Sequence, residues 1–341
     1  MKIDSRDLYN SFYKGHELLE KNINQYLDIE CDIRILNLGW DICHAPKTFW
    51  SDIYSILKVA TKKSKVILIL SDWLKNKKEV NFNGLDVEVY FINTIKLTVY
   101  YEIFELKLSN YNTSWIPNKK FLFLTGKHYK KNRYELFKKF KDADLINKSI
   151  YSLFLPEDHP DYSYNCQLLT GRTLENNGII CHVSAIPYDH TIYSKTGFRV
   201  ISETEYEYSV EHLYADGKDP WITEKTWLTM LNHHPFIMAG EKGTLDKLKR
   251  MGYKTFEEYL PYKYDNASDD HRLDLIVKNT EYWLNNLQMD TNIMNDIEHN
   301  YKLFKNTSLE DLALIKSMAK KYGLSENIKD IFHYINSFSF Y

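Results

Sequence analysis

Short apolar runs alternating with amphipathic stretches constrain this chain most. Ile33-Arg-Ile-Leu-Asn-Leu38 reads as a buried strand, with a helix expected over residues 48–61. Lys65–Leu70 is a second strand, residues 87–92 a third, and residues 100–108 a further helix. Parallel neighbours need a crossover between them, so strand–helix–strand order predicts parallel α/β sheets. Residues 111–120, polar and containing Pro117, read as a linker. The pattern then restarts with a strand over 120–125, a helix over 133–142, and strands over 178–183, 198–202 and 235–239. Helical spacing marks residues 8–26 and most of the chain after Asp269.

At 341 residues the chain is long enough for two domains, each with its own core. A formal net charge of −2 gives no global attraction to nucleic acid or to an anionic membrane, so any polyanion site must be a local patch. The run Val66-Ile-Leu-Ile-Leu70 is far too short to span a bilayer. The start, Met1-Lys-Ile-Asp-Ser-Arg-Asp7, lacks the apolar region of a signal peptide. Cys31, Cys43, Cys166 and Cys181 show no CxxC spacing, which argues against a disulfide framework. A reduced, cytoplasmic protein is expected, in which sequons such as Asn112 are accidents of an Asn-rich composition.

Three segments carry candidate chemistry. In Asp219-Pro-Trp-Ile-Thr-Glu-Lys-Thr-Trp227, Thr223 stands at a helix N-cap, with Glu224 and Lys225 in the first turn. Free backbone N–H groups and partial positive charge at a helix start suit a diphosphate. Spacing alone reads first as an ordinary capped helix with solvated charges. In Phe121-Leu-Phe-Leu-Thr-Gly-Lys-His-Tyr-Lys-Lys-Asn-Arg133 a strand runs into a cationic turn containing Gly126 and Lys127. Such loops bind ligands in α/β folds, although the stretch reads also as a solvated lysine-rich face. Phe121 occupies the first glycine position of a P-loop, which excludes that motif. The third, Phe198-Arg-Val-Ile-Ser-Glu203, delivers a carboxylate at a strand end and by itself reads as a surface group. No metal site is expected: Asp142-Ala-Asp144 follows a lysine-rich helix rather than a strand, and His233-His234 lacks an i, i+4 partner.

In this order the segments resemble the donor half of the α-1,3-fucosyltransferase family and its phage and large-virus relatives. The matching features are the basic turn 125–133, the strand ending Val200-Ile-Ser-Glu203, the helix start Ile222-Thr-Glu-Lys225, and Pro235-Phe-Ile-Met-Ala-Gly240. The runs Gly243-Thr-Leu-Asp-Lys-Leu248 and Met251-Gly-Tyr-Lys-Thr-Phe256 extend the likeness, which covers about residues 118–290. The family's Phe-Glu-Asn triplet appears here as Ser202-Glu-Thr204, and its arginine-rich turn is lysine-rich. Fucose is therefore not implied.

The resemblance implies a GT-B fold: two Rossmann-like domains facing across a cleft, here an acceptor domain over 1–115 and a donor domain over 116–310. Helices over 311–341 would pack back on the first. It implies an inverting, metal-independent glycosyltransferase, with a nucleotide sugar as co-substrate and no other cofactor. Lys127, Arg133 and Lys225 would neutralise the leaving diphosphate, Glu224 would hold the ribose, and Glu203 would lie near the sugar or ribose. An inverting transferase needs a base; Asp41, after Leu38-Gly39-Trp40, and Asp72 are the candidates, although each also reads as a cap or turn residue. The acceptor could be a glycan or hydroxylated bases of phage DNA, for which the basic stretch 119–148 would supply the track. A non-catalytic nucleotide-sugar-binding protein is the remaining alternative.

Overall fold

The structure is a computed structural model. It describes residues 3–7, 30–38, 49–70, 81–104, 119–127, 131–164, 173–176, 179–182, 191–203, 206, 220–288 and 290–327. The chain divides into two compact units. One comprises Met1–Thr98, Ser209–Ala215 and Ser308–Tyr341; the other comprises Val99–Tyr208 and Asp216–Thr307.

The first unit holds a parallel sheet of β1 (Ile3–Asp7), β2 (Ile33–Leu38), β3 (Lys65–Leu70) and β4 (Val87–Phe91), lying side by side in sequence order. Every residue of β3 after Lys65 is buried, as expected of a central parallel strand covered on both faces. Helix α1 (Phe49–Ala60) crosses from β2 to β3 and buries Ile53, Ile56, Leu57 and Ala60. Helix α2 (Thr94–Phe104) follows β4.

The second unit is built on another parallel sheet, in the order β10-β9-β5-β6. Its strands are β5 (Phe121–Lys127), β6 (Ser149–Phe154), β9 (Phe198–Ser202) and β10 (Phe236–Ala239). Between β6 and β9 lie the antiparallel pair β7 (Thr173–Asn176) and β8 (Ile179–His182) and the short helix α4 (Thr191–Ser194). Helix α3 (Lys131–Asp142) joins β5 to β6, and α5 (Glu224–Leu231) joins β9 to β10. Then come α6 (Thr244–Arg250), α7 (Asp269–Asn286) and α8 (Thr291–Lys321), of which the part to Thr307 belongs to this unit and the part from Ser308 to the first. Phe121, Phe123, Phe137, Phe140 and Phe198 pack the core, with Phe121 and Phe198 stacked at 5.8 Å between ring centroids. Tyr264, buried, accepts the Met238 N–H of β10 at 2.9 Å through its hydroxyl, which satisfies a donor on the sheet's edge strand.

The fold is thus mixed α/β with parallel sheets, compatible with a Rossmann-like arrangement. No helix among the described residues is long and apolar enough to cross a membrane. The stretches expected to be a helix at 8–26 and most of the linker at 111–120 lie outside the described residues.

Candidate functional site

The second sheet contains a reversal. From β5 the chain crosses through α3 to β6 on one side; from β9 it crosses through α5 to β10 on the other. Neighbouring crossovers that leave in opposite directions open a crevice at the carboxyl ends of the two strands, where open α/β sheets bind ligands. Pairing between β5 and β9 covers Phe121↔Phe198 and Leu122↔Arg199 and goes no further among the described residues, whereas β5 pairs with β6 as far as Lys127↔Phe154. A register shift between Leu124 and Gly126 marks the departure of β5 from regular pairing. β5 runs two residues beyond its expected end, which places Gly126 and Lys127 in the strand.

Arg133, in the first turn of α3, is 5% exposed, and its Nη1 donates to the Thr125 carbonyl at 2.9 Å. Across the reversal, Glu203 follows β9 and is 0% exposed. One carboxylate oxygen accepts from the Thr223 N–H (3.2 Å) and the Thr226 hydroxyl; the other accepts from the Thr223 hydroxyl. Thr223 does occupy the N-cap position with extended backbone, but its hydroxyl makes no capping bond. It donates to Glu203 instead, so a residue twenty positions away fastens the start of α5. A carboxylate there also complements the helix dipole.

Lys225 Nζ donates to Glu224 Oε1 (2.8 Å) and to Thr223 Oγ1 (3.1 Å). Burial opposes ionisation of Glu224, yet the charges of Lys225 and Arg133 hold its carboxyl below the usual carboxylate range. Lys225 thus joins Thr223 and Glu224 at the start of α5, and Arg133, at the start of α3, is near enough to add to the positive field at Glu224. The approach to α5 is anchored as well: Lys247 Nζ donates to the Pro220 carbonyl (2.8 Å) and the Trp221 N–H donates to Glu241 Oε2 (3.1 Å). Gly240 lets the turn from β10 into α6 close, since a Cβ there would meet Thr244 Oγ1 at 2.9 Å.

Comparison with protein-family models, curated proteins and solved structures returns no match.

The structure brings together Arg133, Glu203, Thr223, Glu224 and Lys225, and it ends β5 at Gly126 and Lys127. Glu203, expected near the sugar or ribose, is enclosed, and its two oxygens accept hydrogen bonds from Thr223 and Thr226. Asp41 and Asp72 lie outside the described residues. Asp144 turns the chain after α3 at φ 53° and accepts a hydrogen bond from Asn147. Among the described residues no group of three His, Cys, Asp or Glu side chains could hold a metal ion.

His233 and His234 are both buried. His234 Nδ1 lies 2.8 Å from the Asn232 carbonyl and Nε2 3.1 Å from that of Thr196; burial lowers its pKa to about 4, so it serves as a neutral core residue. Three lysines of α3 are engaged: Lys138 with Glu135, Lys139 with Asp274 and Lys141 with Asp161.

Sequence reasoning missed Arg199, Thr226, Glu241 and Lys247. The signal for Arg199 was a charged residue inside an otherwise apolar strand, Phe-Arg-Val-Ile-Ser.

Proposed function

We propose that this chain is a nucleotide-sugar-dependent glycosyltransferase of the GT-B type, inverting and metal-independent, whose donor site lies at the β5/β9 reversal. One observation carries the reading: two cations on different elements, Arg133 and Lys225, flank Glu224 at the carboxyl edge of a parallel sheet where the crossovers diverge. A departing nucleoside diphosphate develops negative charge, and preorganised cations in a partly dehydrated crevice stabilise it. Lys127, at the end of β5, supplies a third positive charge. Glu224, held ionised, accepts hydrogen bonds from ribose hydroxyls. Glu203 acts one step back, holding the start of α5 so that Lys225 is presented rather than frayed.

The acceptor base is assigned to Asp41, with Asp72 second, since each follows the carboxyl end of a parallel strand in the first unit. A carbohydrate hydroxyl is the favoured acceptor. A DNA backbone along α3 would have to displace Glu135, Asp274 and Asp161 from the lysines they already pair with.

The test is a thermal-shift panel of UDP-, GDP- and dTDP-sugars. A ligand that binds only the folded state at a hundred times its Kd stabilises it by about 2.7 kcal/mol. One nucleotide class is expected to raise the midpoint of the wild-type protein and not of Lys225→Ala. A flat response to all three classes would remove the basis of the proposal.

A further inference from the structure

Arg199 lies in β9 and is 1% exposed. Its Nη1 is within hydrogen-bond distance of the Tyr193 hydroxyl (2.8 Å), the Lys225 carbonyl (3.1 Å) and Thr229 Oγ1 (3.1 Å). Its Nε is buried without a hydrogen-bond partner. Every one of these acceptors is neutral, and no carboxylate among the described residues forms an ion pair with the guanidinium. The other ionisable neighbour, His234, is kept neutral by burial and by Arg199 itself. A desolvated cation without a counter-ion is costly, and an apolar side chain of similar size would fill the space more favourably.

The charge is aimed at the start of α5. Side chains alternate along a strand, so Arg199 and Ile201 share one face of β9, and Glu203 is the residue that follows the strand. Glu203 holds Thr223 and Thr226, and Arg199 holds the carbonyl of Lys225. Thr229 Oγ1 donates to the same carbonyl at 2.7 Å and so ties the helix turn to the guanidinium. One residue of β9 and the residue just after it thereby grip the start of α5 around Glu224.

We propose that Arg199 is a positioning residue for a diphosphate group: it fixes the Lys225 backbone so that Nζ is presented in the crevice, and it places a permanent positive charge behind that turn. This rests on the donor-site reading above. The anion it favours is the pyrophosphate portion common to all nucleotide-sugar donors.

The experiment is calorimetric titration of inorganic pyrophosphate into the wild-type protein, Arg199→Lys, Lys225→Ala and the double variant, each checked for folding by circular dichroism. Lysine keeps the charge but lacks the planar fork. Arg199→Lys is expected to weaken pyrophosphate about tenfold, because small misplacements of a binding group are expensive. In the Lys225→Ala background the same change should alter affinity by less than about twofold, since the effect passes through Lys225.

Equal losses in both backgrounds, or wild-type affinity in folded Arg199→Lys, overturn the positioning role and leave the donor site standing. Identical affinity in the wild-type protein and Lys225→Ala overturns the donor-site reading and this inference together. If Arg199→Lys does not fold, Thr229→Val removes the hydroxyl that bridges the guanidinium and the Lys225 carbonyl. It should weaken pyrophosphate about threefold in the wild-type background alone, and unchanged affinity contradicts the proposal.

Discussion

The two parallel sheets have the same number of strands and differ in the order of their connections, and their buried charge follows that difference. In the first, β1 to β4 lie in sequence order, so its internal connections create no reversal. Its described buried or half-buried charges fasten elements to one another. Arg34 donates through Nε to Ser64 Oγ at 2.9 Å, and Lys96 pairs with Asp311 of α8 at 3.0 Å. Glu88 of β4 accepts hydrogen bonds from Lys321, at the end of α8, and from Tyr322 just beyond it. In the second sheet the order reverses between β5 and β9, and there Arg133, Arg199, Glu203 and Lys225 collect within reach of one helix start. The order reverses in one sheet only, and four charged residues of that unit collect near the reversal.

Glu203 tests this contrast with the largest effect on stability. Glu203→Ala leaves the Thr223 N–H and two threonine hydroxyls without their acceptor in a buried site, which should cost about 3 kcal/mol. Urea unfolding gives the loss of stability, and pyrophosphate titration should show weakened binding in the same variant. Full stability would mean that the clamp is not what holds α5.

Acid sensitivity comes next. His234 is neutral in the folded protein, with its pKa lowered from 6.5 to about 4, first by burial. The unfolded chain takes up the proton at higher pH than the folded one, so this stability is complete above pH 6.5 and is lost as pH falls toward 4. Each tenfold difference in proton affinity between the folded and unfolded chains is worth roughly 1.4 kcal/mol, which makes the full loss roughly 3 kcal/mol. Urea midpoints at pH 7 and pH 5 should differ in the wild-type protein and differ less in His234→Asn.

The smallest effect belongs to the first sheet. Burial opposes the ionisation of Glu88, and hydrogen bonds from Lys321, Tyr322 and Tyr90 overcome it, bringing the carboxyl down to about 2. The site is partly open to solvent, so screening leaves about 1 kcal/mol or less for Glu88→Gln. Pyrophosphate affinity should stay at the wild-type value, because this charge fastens a helix and does not serve the crevice. A loss of binding would erase the distinction between the sheets.

Much of the fold was readable from periodicity. β2, β3 and β9 match their expected bounds because each is an apolar run closed by polar or turn residues. β1 was not readable: Ile-Asp-Ser-Arg-Asp has one apolar residue and is a strand because it pairs with β2. β6, Ser-Ile-Tyr-Ser-Leu-Phe, was hidden behind the lysine-rich helix that precedes it.

At the site, the Thr-Glu-Lys helix start was visible because its three residues are contiguous. The clamp was not, since Glu203 and Thr223 are twenty residues apart and meet only through the β9–α5 crossover. Arg199 was missed: a charge in an apolar strand was its only signal, and its partners at 193, 225 and 229 belong to other elements.

The most direct measurement is hydrolysis of the stabilising nucleotide sugar, without acceptor, by the wild-type protein and by Lys225→Ala. Removing a cation that stabilises a leaving diphosphate should slow the reaction about a hundredfold while the circular dichroism spectrum is unchanged. Equal rates in the two proteins would contradict a donor site at the β5/β9 reversal.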